Sequence, residues 1–172
     1  MLCRELIEKL EELAPKSLAC DWDNPGFLAG RGDKEIKKVL VALDATDRVV
    51  EQAVREQADL LLTHHPLIFK AIKKVNDQNF ITRRLVKLIQ ADISYYAMHT
   101  NYDTRGMADL AARLMGLTEC AVLEEVKDGE GIGRVGKLPH PMTLRECGEQ
   151  VKVAYGIPNV RLFGDSDTQV SL

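Results

Sequence analysis

Apolar and polar positions follow two rhythms along this chain. Over residues 3–14, Leu6, Ile7, Leu10 and Leu13 recur at helical spacing among Glu and Lys, and Pro15 stops the pattern. Residues 36–44 (IKKVLVALD) form a Val/Leu-rich run of the kind that a sheet buries on both faces. Helical spacing returns over residues 47–58 through Val49, Val50, Ala53 and Val54. A second strand follows at 59–63, an amphipathic helix at 78–91 and a third strand at 93–98. Residues 107–115 predict a further helix, with Gly116 as its C-terminal cap. Strands alternating with helices predict right-handed crossovers and a mainly parallel sheet.

Beyond residue 118 the texture changes. Residues 120–126 and 132–138 predict two strands around a hairpin turn at Lys127–Gly131. Residues 143–155 predict a helix and Asn159–Phe163 another strand. The alternation at Thr168–Leu172 fits either a short final edge strand or the front part of a longer protein. The expected fold class is α/β: a mainly parallel or mixed sheet flanked by helices. Two related α/β lobes are expected, residues 1–118 and 119–172, with the second truncated.

Composition narrows the classes. With 172 residues, 45% hydrophobic and 28% charged, the chain has material for one good core or two small ones. A net charge of −3 argues against a general nucleic-acid binder. No apolar run approaches a membrane span. The segment from Met1 to Glu8 is too charged for a secretory signal, so a cytoplasmic protein is expected. Cys3, Cys20, Cys120 and Cys147 are widely spaced and form no CxxC; free thiols are expected, and a cysteine zinc site is not.

The candidate chemistry sits at strand exits. The chain has four histidines, and two of them, His64 and His65, stand at the end of the 59–63 strand, just before Pro66. Neutral imidazole is the commonest protein ligand for transition metals. The third strand likewise leads into His99-Thr100-Asn101-Tyr102-Asp103. A parallel sheet puts both exits on one edge, where ligands bind in such folds. His64, His65, His99 and Asp103 then form a candidate site suited to Zn, Fe, Mn, Ni or Co rather than Mg or Ca. Asp103 has two oxygens with which to bridge two ions, and two such ions would activate a water. Each residue also has a plainer use. Asp103 fits a cap for the 107–115 helix and His99 a donor to a backbone carbonyl, while Asp44, at the end of the first strand, fits a further site-edge carboxylate but is expected chiefly as a helix cap.

Two patterns mislead. Gly131–Gly136 spells G-x-G-x-x-G and runs into Lys137, but Leu138 follows where a phosphate loop needs Ser or Thr. Pro139 and Pro141 come next, so no helix opens there, and these glycines are expected to serve a hairpin.

The motifs Trp22-Asp23-Asn24-Pro25-Gly26, Ala42-Leu43-Asp44-Ala45-Thr46, Thr63-His64-His65-Pro66, His99-Thr100-Asn101-Tyr102-Asp103 and Gly131-Ile132-Gly133-Arg134-Val135-Gly136 together resemble the Nif-three-like family. Its members are also called GTP cyclohydrolase I type 2 homologues or dinuclear metal-centre proteins. The resemblance implies two divalent metal ions, with His64 and His65 as terminal ligands and Asp103 as the bridge. It also implies a toroidal homohexamer, so self-association is expected, and a metal-dependent hydrolase acting on a nucleotide or phosphoester-like substrate. His99 is the expected proton shuttle and hence the catalytic candidate. The family completes its site with a C-terminal His and Glu. This chain offers only His140 after Asp103, between two prolines, so incomplete metal loading and a silent site are expected here. The rival expectations are a metal-delivery protein and a metal-stapled interaction scaffold, neither with turnover.

Overall fold

The computed structural model describes residues 1–170; Ser171 and Leu172, at the end of the expected last strand, lie outside the described residues. The chain forms two compact units, Met1–Tyr102 and Asp103–Leu172.

The first unit is built on a four-stranded sheet in the order β1-β4-β3-β2. Its strands are β1 (Gly26–Ala29), β2 (Val39–Ala42), β3 (Leu60–Thr63) and β4 (Ser94–Ala97). Strands β2, β3 and β4 are parallel, as the strand–helix alternation predicts, and β1 is antiparallel to β4. The sheet is therefore mixed. Strand β1 lies in a stretch where the hydrophobic pattern predicts no strand.

Side chains alternate across this sheet as a pleated strand requires. Leu61 and Tyr95 point into one core with Val50, Ala53, Leu85 and Leu88. Those residues come from α2 (Asp47–Arg55) and α3 (Phe80–Gln90). Leu60 and Tyr96 point into the opposite core with Cys3 and Ala14, on and just after α1 (Cys3–Leu13). Ser94, Tyr95, Tyr96 and Ala97 are all buried because β4 is central and covered on both faces. Each buried Leu contributes about 1.5–3 kcal/mol by leaving water. Helix α2 starts at Thr46, whose hydroxyl accepts from the Val49 amide, and α3 at Asn79, whose side chain accepts from Thr82.

The second unit opens at Asp103. A single helical turn, α4 (Thr100–Tyr102), ends the first unit. The backbone leaves helical geometry at Arg105 and Gly106, where φ is 128° at the glycine, and α5 (Ala108–Met115) follows. Met107 stands at the α5 N-cap without a side-chain cap bond, so Asp103 does not cap this helix. Gly116 closes it in the left-handed conformation, as expected.

Strands β5 (Thr118–Lys127) and β6 (Glu130–Lys137) form the expected hairpin. Asp128 and Gly129 have φ of 52° and 78°, the signature of a two-residue turn matched to strand twist. A Cβ on Gly131 would stand 2.0 Å from the Glu124 carbonyl oxygen. The G-x-G-x-x-G spelling thus reflects close strand packing. Arg134 ties the unit together, donating to Asp109 at 2.7 Å and to the Gly131 and Gly133 carbonyls at 2.8 Å. Helix α6 (Leu144–Tyr155) carries a full capping box between Thr143 and Glu146.

Two expectations need correction. The boundary falls at Tyr102/Asp103, earlier than residue 118, because α5 packs with the hairpin and α6. Asn159–Phe163 is not a strand. Its Leu162 and Val160 lean against Gly148 of α6, and among the described residues it pairs with no strand. The strand that is present, β8 (Gln169–Val170), pairs with β7 (Met142–Thr143).

Among the described residues, no helix is long and apolar enough to cross a membrane. The four cysteines are free thiols.

Candidate metal centre

Strand register places the site. Ala42, Thr63 and Ala97 form one row across β2, β3 and β4. Asp44, His65 and His99 each lie two residues beyond that row, on the carboxyl edge of the parallel strands. The ladder continues past the strands: the His65 amide donates to Leu43 O at 3.0 Å and the Met98 amide to Thr63 O at 2.9 Å. Strand β1 runs the other way, so the residues before Gly26 reach the same edge, Trp22 and Asp23 among them.

Three of the expected residues converge there. Among the described residues, His64, His65 and His99 each offer a nitrogen within 4.8 Å of the other two. Their ring centroids are 4.9, 5.1 and 5.6 Å apart. Asp103, the expected bridge, is the first residue of the second unit.

Two carboxylates orient these rings, Asp44, expected chiefly as a helix cap, and Asp23, which local sequence does not single out. His65 Nδ1 lies 2.7 Å from Asp44 Oδ1, and His99 Nδ1 lies 2.9 Å from Asp23 Oδ1. An ionised carboxylate only accepts, so each Nδ1 carries a proton, and in the neutral imidazole Nε2 is then the atom with the free lone pair. Carboxylate–histidine pairs of this kind back metal-binding imidazoles. Asp44 therefore does not cap α2, contrary to expectation; Thr46 does. His99 bonds a carboxylate in place of the expected backbone carbonyl.

Asp23 is the better-built of the two. Its side chain is fully buried, whereas Asp44 is half exposed. It accepts from Thr100 Oγ1 at 2.5 Å, from the Thr100 amide at 3.0 Å and from the Asn24 amide at 2.7 Å, besides His99. Burial alone would raise its pKa. The bonds from Thr100, His99 and Asn24 outweigh that and hold the carboxyl below its ordinary value.

The turn carrying His65 is pinned from beneath. Buried Thr63 donates through its hydroxyl to the His65 carbonyl at 2.8 Å. Tyr95 OH accepts from the Leu67 amide at 2.8 Å and lies 2.7 Å from Thr63 Oγ1 and 3.2 Å from the His65 carbonyl. Burial raises the Tyr95 pKa, against the pull of the Thr63 and Leu67 bonds. The phenol thus stays neutral through the physiological range.

The donor set fits a transition-metal ion. It consists of three imidazoles with converging nitrogens, two of them held as the tautomer that a metal requires.

The whole chain, residues 1–172, matches the family model described as Duf34/NIF3 (NGG1p interacting factor 3). The chain belongs to the Duf34/NIF3 family. A GTP cyclohydrolase 1 type 2 homolog of Clostridium perfringens is 34% identical over 169 residues, which is 96% of this chain and 64% of the relative. Staphylococcus aureus hypothetical protein SA1388 superposes with a TM-score of 0.86 at 30% identity, over 99% of this chain and 70% of that one. A Bacillus cereus protein related to NIF3 superposes at 0.89 over 99% of this chain and 74% of its own, at 22% identity, which speaks for the fold alone. The chain spans less than two thirds of the Clostridium protein.

Proposed function

We propose that His64, His65 and His99 form the metal centre of a divalent-metal-dependent hydrolase acting on a nucleotide or phosphoester-like substrate. The observation that carries this reading is the convergence of the three imidazoles with carboxylate backing on two of them. The names of the relatives point the same way, since several are called GTP cyclohydrolase 1 type 2 homologs.

A bound ion would supply Lewis-acid polarisation of a substrate oxygen and of a water. The chain's own residues do the rest. His64 and His65 would hold the ion from the end of β3. His99 is proposed as a third ligand in place of the expected proton shuttle, because Asp23 orients it as Asp44 orients His65. Asp23 and Asp44 hold the Nδ1 protons and so keep each Nε2 available. Thr63 and Tyr95 fix the His65 turn and limit its reorganisation on loading. The bridging role of Asp103 and a second ion are proposed on the family resemblance.

The test is hydrolysis of p-nitrophenyl phosphate and of GTP by the purified chain with added Zn²⁺, Mn²⁺ or Co²⁺. Any turnover by this chain should require added metal and vanish in His65→Ala. His99→Ala should lose metal as well as turnover; a shuttle would lose turnover alone. Stoichiometric metal without turnover would transfer the reading to metal delivery.

A further inference from the structure

Two large rings stand in water beside the imidazole cluster. Trp22 is 61% exposed and Phe69 45% exposed. Their centroids are 5.9 Å apart with the planes tilted by 49°, so neither ring covers the face of the other. Trp22 in turn meets His99 edge-on at 6.2 Å.

The loops carrying these rings are tied down. Asn24 Nδ2 donates to the Ile68 carbonyl at 2.6 Å, joining the Trp22 loop to the Phe69 loop next to both rings. The neighbouring residue Asp23 is anchored to Thr100 and His99. The loops are thus cross-linked by partly buried polar bonds while the rings they carry stay wet. Hydrophobic burial within this unit gives no reason for that arrangement.

On its other side Phe69 joins His65, Pro66, Leu67, Ile81 and Phe80 in lining a depression of about 300 Å³. That is the low end of small-molecule sites and has room for one ring system. The nearby cation is already engaged. Arg84 lies 5.0 Å over the Phe80 ring and donates twice to Asp47, at 3.0 and 3.1 Å. The cation that lines this depression is therefore engaged, and the rings beside it offer flat apolar surface for a ring to stack on.

We infer that Trp22 and Phe69 are a recognition wall for a planar heteroaromatic ring, such as a purine base, whose reacting group then faces the imidazole cluster. The position of the reacting group rests on the metal-centre reading; the ring site rests on its own geometry. Stacking on an aromatic side chain tolerates any base, since every base has a π-face.

The test is a calorimetric titration of the 172-residue chain with GMP, AMP and ribose 5-phosphate, metal-free and Zn²⁺-loaded. Because Trp22 is the only tryptophan, its emission gives a second readout. Both purine nucleotides should bind and quench Trp22, and ribose 5-phosphate should bind at least about tenfold more weakly. Phe69→Ala and Trp22→Leu should each weaken the nucleotides by about 5- to 150-fold. Phe69→Tyr and Trp22→Phe, which keep a ring, should restore binding to within about threefold of the wild type. Equal binding of ribose 5-phosphate, indifference to both ring removals, or no nucleotide binding at all would overturn the inference. Metal content measured on the same samples separates the two readings. Ring-dependent binding to a chain that takes up no metal would sink the metal centre and leave the wall. Metal uptake without ring dependence would do the reverse.

Discussion

Replacing Asp23 by Asn tests how the site is held. The change keeps the shape of the side chain and swaps one acceptor oxygen for a donor. In the native protein Oδ1 accepts from His99 Nδ1 and the Asn24 amide, and Oδ2 accepts from the Thr100 amide and hydroxyl. The new NH₂ must face one of these pairs. Facing Thr100, it orphans the amide, while the hydroxyl can turn to accept. Facing His99, it clashes with two donors unless the imidazole gives up its Nδ1 proton. A buried unsatisfied donor costs about 1–3 kcal/mol. The expected loss is therefore about 2 kcal/mol, or a drop of roughly 10 °C in the midpoint of a unit of this size. The second orientation also puts the imidazole proton on Nε2, where the lone pair is needed. Losses of a carboxylate behind a metal-binding histidine run at about 10- to 100-fold in affinity, and the same is expected for Zn²⁺ here. The assays are thermal unfolding of the metal-free protein and competition against a chromophoric zinc chelator. The pH dependence has a defined sign. Asp23 has a folded pKa below its ordinary 3.8, so its contribution is complete above that value. It is lost as pH falls through the lower folded value. The midpoint gap between wild type and Asp23→Asn should thus narrow only in strong acid, below about pH 3.8. A variant that unfolds earlier but binds zinc within twofold of wild type would refute the view that Asp23 orients His99.

Other outcomes follow from the same geometry. Tyr95→Phe leaves the buried Leu67 amide without its acceptor; it should cost about 1–3 kcal/mol in urea unfolding and weaken zinc binding through a looser His65 turn. Gly131→Ala pushes a methyl into the Glu124 carbonyl at 2.0 Å; the hairpin must open there, read as lost amide protection in β5 and β6 while the first unit keeps its own. Thr143→Ala breaks the α6 capping box; about 1 kcal/mol is expected, confined to the second unit in a hydrogen-exchange experiment.

Much of the fold was legible because it follows local rules. Short apolar runs and period-3.6 patterns located β2, β3, β4 and the helices between them, and a parallel sheet follows from their alternation. The three histidines were legible for the same reason, since topology alone brings parallel strand exits to one edge. Strand β1 was missed because Gly26–Ala29 is short, and its pairing partner Ala97 lies some seventy residues away, beyond any local pattern. Asn159–Phe163 was over-read because alternation marks a strand only when a neighbour exists to bond it. The carboxylates were harder. Asp44 sits where Asp commonly caps a helix, and nothing local distinguishes that use from its bond to His65, twenty-one residues on. Asp23 lies in a turn-rich segment, and its partners His99 and Thr100 follow β4, the neighbour of β1 in the sheet but distant in sequence. The motif Trp22-Asp23-Asn24-Pro25-Gly26 was a signal that this loop does more than turn, but it does not name Asp23's partners. The boundary was placed too late because helix α5 follows the alternating pattern of the first unit but buries its face in the second.

The central claim is that the three imidazoles form a metal centre. Its most direct measurement is transition-metal content by elemental analysis, on protein purified without an affinity metal and again after reconstitution with Zn²⁺. Wild type, His65→Ala and His99→Ala are compared. At least one ion per wild-type chain is predicted, with loss in both variants. A wild-type chain that takes up no metal after reconstitution, or a His99→Ala chain that holds as much as wild type, would contradict the account.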